Sequence, residues 1–178
     1  SGLLSLQSNR TEDEMARVAM QEGRSRINAM AMIHQKLYMD TDLSAVDIKE
    51  YLENLSGSLA GSFGYTSGNI HTDIRLKNTS MDIDLAMPIG LIVNELVTNA
   101  FKHAFAGIND PSITIRLQEL QEKKLELLVS DNGKGMEGDS KAGSFGMKLV
   151  QTLVRQMNGR LSVDSNPGTA YTIEISTI

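Results

Sequence analysis

The run Asn94-Glu95-Leu96-Val97-Thr98-Asn99-Ala100-Phe101-Lys102-His103 sets a carboxylate, an amide, a cation and an imidazole among apolar residues. On a helix, four-residue spacing places Glu95 and Asn99 one turn apart on one face, and Lys102 with His103 continues it. Such a set suits a metal-bridged polyphosphate: the Asn99 amide oxygen for Mg²⁺, the cation for phosphate oxygens, and Glu95 as base. The solvated face of an ordinary amphipathic helix carries the same residue types. The segment therefore gains meaning only beside others.

Two glycine-containing segments stand beside it. In Ser130-Asp131-Asn132-Gly133-Lys134-Gly135-Met136, glycines at alternate positions let a backbone approach a flat ring or a phosphate, and Asp131 can accept a hydrogen bond from an exocyclic amine. Asp-Asn-Gly is equally the chemistry of a plain turn. Gly143-Ser144-Phe145-Gly146-Met147 opens a helix, where free N–H groups and the helix dipole favour an anion. There is no GxxxxGK[ST] sequence, which excludes a P-loop.

The elements that would position these groups follow from periodicity. Leu3 to Leu6 read as the end of a helix, and Thr11-Glu12-Asp13-Glu14 reads as a capping box opening a second that runs to about Met39. Its seven-residue series, Met20, Ile27, His34 and Ala16, Gly23, Met30, Leu37, form one seam, as in a helical hairpin that pairs with another element. A third helix is expected from Asp47 to about Leu59. Alternation then predicts two paired strands, Ile70 to Leu76 and Met81 to Leu85, followed by a helix with Pro88 in its first turn. A hairpin, Ile113 to Leu117 and Leu125 to Val129, comes next. The remaining elements are a helix from Met147 to Met157 and strands at Leu161 to Asp164 and Thr169 to Ile175, around Asn166-Pro167-Gly168. This order predicts a two-layer α/β sandwich behind a partial α-helical hairpin, divided into residues 1–40 and 41–178.

Composition bounds the function. The chain has 178 residues, 40% of them apolar, which is enough for a packed core. No cysteine is present, so disulfide scaffolds, thiolate metal sites and cysteine nucleophiles are excluded. The net charge of −5 and the lack of a basic run argue against nucleic acid as the main ligand. The most apolar stretch, Leu85 to Val97, is broken by Pro88, Asn94 and Glu95, short of the roughly 20 apolar residues a spanning helix needs. No membrane contact and a cytoplasmic setting are expected.

The ordered runs NELVTNAFKHAF, DNGKGM, GSFGMKLV and NPGTAYTI resemble the ATP-binding fold shared by sensor histidine kinases, gyrase and MutL, over about Leu43 to Ile178. LLSLQSNR followed by RINAMAMIHQKLY is similar to the dimerisation segment of the histidine kinases whose phosphoacceptor stands in an HHRVKNNLQ-like motif. The resemblance implies ATP and Mg²⁺, with Asn99 holding the metal, Glu95 as base or polarising carboxylate, and Lys102 and His103 facing phosphates. It implies that Asp131 reads the adenine amine, Gly133 and Gly135 admit the purine, and Gly146 with Met147 caps the triphosphate. Gly168 and Thr169 would close the adenine side, and Met136 to Gly143 would form a short lid. The second glycine box departs from the usual Gly-x-Gly, reading Ser144-Phe145-Gly146, so Gly143 could carry that phosphate contact.

No HHRVKNNLQ-like motif occurs, so the resemblance implies an acceptor histidine upstream of Leu3. His34 on the apolar seam reads as a packing residue. The implied partners are a second copy through the N-terminal helices and a response regulator receiver domain. Alternatives on the same fold are a serine/threonine kinase of the anti-sigma type and a gyrase- or MutL-like ATPase in which Glu95 activates water. A degenerate dimerisation module without turnover is the third.

Overall fold

The computed structural model describes residues 20, 23–33, 45–120, 124–135, 145–165 and 167–176. Residues 23–33 are helical (α1) and lie inside the helix expected from Thr11 to Met39. The Thr11 capping box, His34 and Leu37 are outside the described residues. β1 (Ala45–Asp47) leads directly into α2 (Ile48–Ser62), whose N-cap Asp47 accepts from the Glu50 N–H at 2.9 Å. Ile48, Tyr51, Leu52, Leu55 and Leu59 form its buried stripe.

A short 3-10 turn, Ser67–Asn69, enters β2 (Ile70–Arg75), and β3 (Ser80–Asp82) precedes α3 (Ile83–His103). β4 (Ile113–Leu120) and β5 (Lys124–Asp131) form the hairpin, and α4 (Phe145–Gln156) precedes β6 (Arg160–Asp164) and β7 (Thr169–Ser176). The main sheet runs β2-β4-β5-β7-β6. β2 and β4 are parallel, a pairing that needs a crossover element, and α3 supplies it. The other pairs are antiparallel. Buried residues alternate along β4, β5 and β7, so one face packs beneath the helices. This is the two-layer α/β sandwich expected from the sequence.

Two expectations change. Residues 70–76 and 81–85 do not pair with each other: β2 joins β4, while β3 joins β1 with Val46 opposite Met81. Only 80–82 is strand, because Asp82 caps the next helix by accepting from the Asp84 N–H at 2.8 Å, which draws Ile83 and Leu85 into α3. Pro88 thus lies inside the helix, beyond its first turn.

α3 is long and apolar enough to cross a bilayer, but 67% of its most apolar window is buried within the protein. Every residue from Ile89 to Thr98 is buried. Its hydrophobicity is that of a helix enclosed on all sides. At the sheet edge Asp73 sits opposite Arg116 and also bonds Arg75, which holds its carboxyl below the usual range against the opposing effect of burial.

α1 is docked onto this body. Ala29 and Ile33 are fully buried, and the buried Tyr51 hydroxyl donates to the Ala29 carbonyl at 3.2 Å. Burial pushes the Tyr51 phenol well above its ordinary value of 10.0. On the alkaline side of that value the unfolded chain releases this proton while the folded chain keeps it, so stability falls as pH rises. Urea midpoints measured across that range should fall less steeply for Tyr51→Phe than for the wild type; parallel curves would contradict the burial argument.

Candidate nucleotide site

The site is built where three elements meet. β5 and β7 end in register, with Asp131 opposite Thr169. α3 runs past them and presents Glu95, Asn99 and His103 at four-residue intervals, and the first turn of α4 brings Phe145, Gly146 and Met147. Between them lies a cavity of about 210 Å³. Asp131, Gly135, Thr169 and Tyr171 line one part of it. Glu95, Asn99, His103, Gly146 and Met147 line it as well.

The Asp131 end is rigidly anchored. Its Oδ1 accepts from the Gly133 N–H at 2.9 Å, which orients the carboxylate. Asn132 accepts from the Ser112 N–H at 2.8 Å and donates to the Asp110 carbonyl at 2.8 Å, while the Lys134 N–H donates to the Ala104 carbonyl at 3.0 Å. The segment after β5 is thus tied both to the entry of β4 and to the end of α3. Burial and the Asp131 charge raise the Tyr171 phenol above its ordinary range. Gly168 adopts φ +70°, and a Cβ there would land on the Asp131 carbonyl oxygen, so only glycine lets β7 approach this closely.

At the other end the Asn99 amide nitrogen faces the Met147 sulfur at 3.9 Å, leaving Oδ1 as a hard oxygen donor on the cavity. That fits Mg²⁺, which takes few protein oxygens and keeps phosphate and water ligands. With one amide oxygen on the cavity, Asn99 would hold such an ion together with the substrate's phosphates. The α4 N-terminus, where the helix dipole and the first-turn N–H groups point outward along the axis, favours anions at the same end.

Glu95 is 5% exposed, and both its oxygens are taken by Arg26 of α1: Nε to Oε1 and Nη2 to Oε2, each 2.7 Å. The neighbouring Ser25 hydroxyl donates to Asn94 Oδ1 at 2.6 Å, and the Arg26 guanidinium lies 4.9 Å from the Phe145 ring centroid. A Cβ on Gly146 would stand 2.6 Å from Glu95 Oε2, so this glycine makes room for the carboxylate.

Other residues singled out in the sequence lie elsewhere. Lys102 lines a neighbouring cavity of about 150 Å³ between α1, α2 and α3. Gly133 packs against Ala104, and Gly168 supports Asp131 from behind. Met136 and Gly143 are outside the described residues. Sequence reasoning missed Arg26 and Ser25, whose partners are 69 residues away and leave no local pattern.

Residues 85–177 match the family model described as histidine kinase-, DNA gyrase B-, and HSP90-like ATPase, and residues 1–63 match the one described as histidine kinase. The chain belongs to the histidine kinase-type ATPase family. Sensor histidine kinase PdtaS of Mycobacterium tuberculosis is 30% identical over 172 residues, 92% of this chain and 33% of that protein. The chain spans about a third of the length of the curated PdtaS relatives it matches. The solved histidine kinase domain of the Erythrobacter litoralis blue-light activated histidine kinase EL346 superposes with a TM-score of 0.75 at 21% identity, covering 97% of this chain and 89% of that one. A longer EL346 structure gives 0.72 at 26% identity, over 85% of this chain and 52% of that one.

Within this histidine kinase scaffold, Gly168 is the sharpest local test of the site. Gly168→Ala meets both a left-handed backbone and a collision, and should destabilise the fold by roughly 1–3 kcal/mol. Urea denaturation measures this, and an unchanged midpoint would contradict the close packing of β7 on Asp131.

Proposed function

We propose that this chain is the ATP-binding region, with part of the dimerisation hairpin, of a two-component sensor histidine kinase. Residues 1–40 belong to the hairpin and 41–178 to the catalytic domain. The observation that carries this reading is one cavity with two chemically different ends, a fixed carboxylate at Asp131 and an amide oxygen beside a helix N-terminus at Asn99.

Asp131 accepts from the exocyclic amine of adenine, with Thr169 and Gly135 beside the ring. Asn99, His103 and the first turn of α4 hold the triphosphate. Mg²⁺, when bound, neutralises phosphate charge that develops during transfer. The neutral imidazole of an acceptor histidine attacks the γ-phosphorus in line through one ring nitrogen, and the bond to the bridging oxygen breaks with its electrons leaving on ADP. Glu95 accepts the proton from the other ring nitrogen. The phosphoryl group then passes to an aspartate of a response regulator receiver domain. The reaction is cytoplasmic and catalysed mostly by positioning.

Asp131→Asn should weaken ATP·Mg²⁺ binding on the order of tenfold or more, because an acceptor that holds the amine gives way to an ambiguous amide. Calorimetric titration with circular dichroism as a folding control measures it; equal affinity would overturn the adenine assignment.

The dimer forms through the face of α1 that carries Ile27 and Met30, 45% and 40% exposed and distinct from the docked Ala29 and Ile33. Met30→Glu should lower the molecular mass seen by light scattering, and an unchanged mass would exclude this seam.

A further inference from the structure

Arg26 is not part of the nucleotide cavity lining, yet it touches Glu95 and Phe145, which are. We propose that Arg26 is a positioning residue that withholds Glu95 from the reaction while α1 is docked, so that lifting α1 sets the rate of phosphoryl transfer. The inference rests on the reading of Glu95 as the proton acceptor.

The geometry supports a latch in three ways. A bidentate guanidinium fork occupies one oxygen of Glu95 with Nε and the other with Nη2, and the Asn94 amide adds a contact to Oε1 at 3.2 Å. With only 5% of the residue exposed and both oxygens held by Arg26, an incoming imidazole meets no free oxygen of the carboxylate. The Arg26 pair joins two elements that can part, α1 and α3, through contacts that release together. These are the Ser25–Asn94 bond, the Tyr51–Ala29 bond, and the burial of Ala29 and Ile33.

Parting these elements leaves no orphaned charge. When α1 lifts, Arg26 and Glu95 both return to water, and hydration offsets the lost Coulomb energy. The intact pair is thus near balance between docked and lifted states, whereas removing Arg26 leaves the Glu95 charge unpaired under the docked helix and disfavours docking. Such a balance makes a two-state element rather than a permanent joint. The cation–π contact with Phe145 extends the latch to the first turn of α4, so the docked helix grips both the base and the phosphate end of the cavity.

Two measurements test this. In the present chain, amide hydrogen exchange over residues 23–33 should quicken in Arg26→Gln while β4 and β5 keep their protection; unchanged exchange would refute the latch. In the full-length natural protein, Arg26→Gln should raise kcat for phosphohistidine formation from γ-labelled ATP on the order of fivefold, at unchanged KM for ATP. Arg26→Lys, which keeps the charge and loses the fork, should fall between the two. A lowered or unchanged kcat in Arg26→Gln would overturn the proposal, as would any further gain from it in a Glu95→Gln background. If Arg26→Gln does not fold, Tyr51→Phe loosens α1 without touching the ion pair and should shift exchange and kcat in the same directions, with no shift refuting the latch. A wild-type rate in Glu95→Gln sinks the base reading and the catalytic half of the proposal with it. The exchange comparison then judges the latch alone.

Discussion

A carboxylate buried to the degree of Glu95 must be paired, and this requirement shapes the molecule around it. α3 is enclosed along ten consecutive residues, Ile89 to Thr98, so that its polar members Asn94 and Glu95 are taken out of water with the aliphatic ones. Unpaired, such groups would oppose folding by several kcal/mol. Their partners are Ser25 and Arg26, neighbours on α1, and α1 is therefore drawn to one place on the body. The same enclosure leaves Asn99 and His103, one and two turns later, at the edge of the cavity where a ligand can reach them. Thr98, also buried, has a hydroxyl with no partner among the described residues.

The rest of the scaffold brings a second carboxylate to face that helix. The register of β5 with β7 sets Asp131 against Thr169, and the tight backbone approach at Gly168 keeps it there. The site is thus one helix face set against two strand ends. Loops supply the anchoring bonds from Asn132 and Lys134. On the proposed reading, one end of this division takes the adenine and the other the phosphates and metal.

Much of this was legible in the sequence, because the chemistry lay in short runs with local periodicity. Four-residue spacing placed Glu95 and Asn99 together, and Asp131 to Gly135 announced a strand end followed by a tight segment. Three-residue strands were not legible: β1 has no pattern, and the alternation of Met81 to Leu85 hid a helix cap at Asp82. Long-range pairs were invisible for a different reason. Nothing around Arg26 marks it as the partner of a residue 69 positions away. The heptad seam through Ile27 and Met30 described the exposed side of α1, whereas its docked side uses Ala29 and Ile33, which sit between heptad positions.

On the proposed reading, the cavity between α3, the β5 and β7 ends and α4 takes ATP with its adenine at Asp131 and its phosphates at Asn99. Titration of ¹⁵N-labelled protein with a non-hydrolysable ATP analogue and Mg²⁺ tests it most directly, followed residue by residue in amide spectra. Saturable shifts should concentrate at Asn99, His103, Asp131, Gly135, Gly146, Met147 and Thr169, with an adenine-only ligand moving just the Asp131 end. Shifts that map away from this cavity, or none at saturating analogue, would contradict the account.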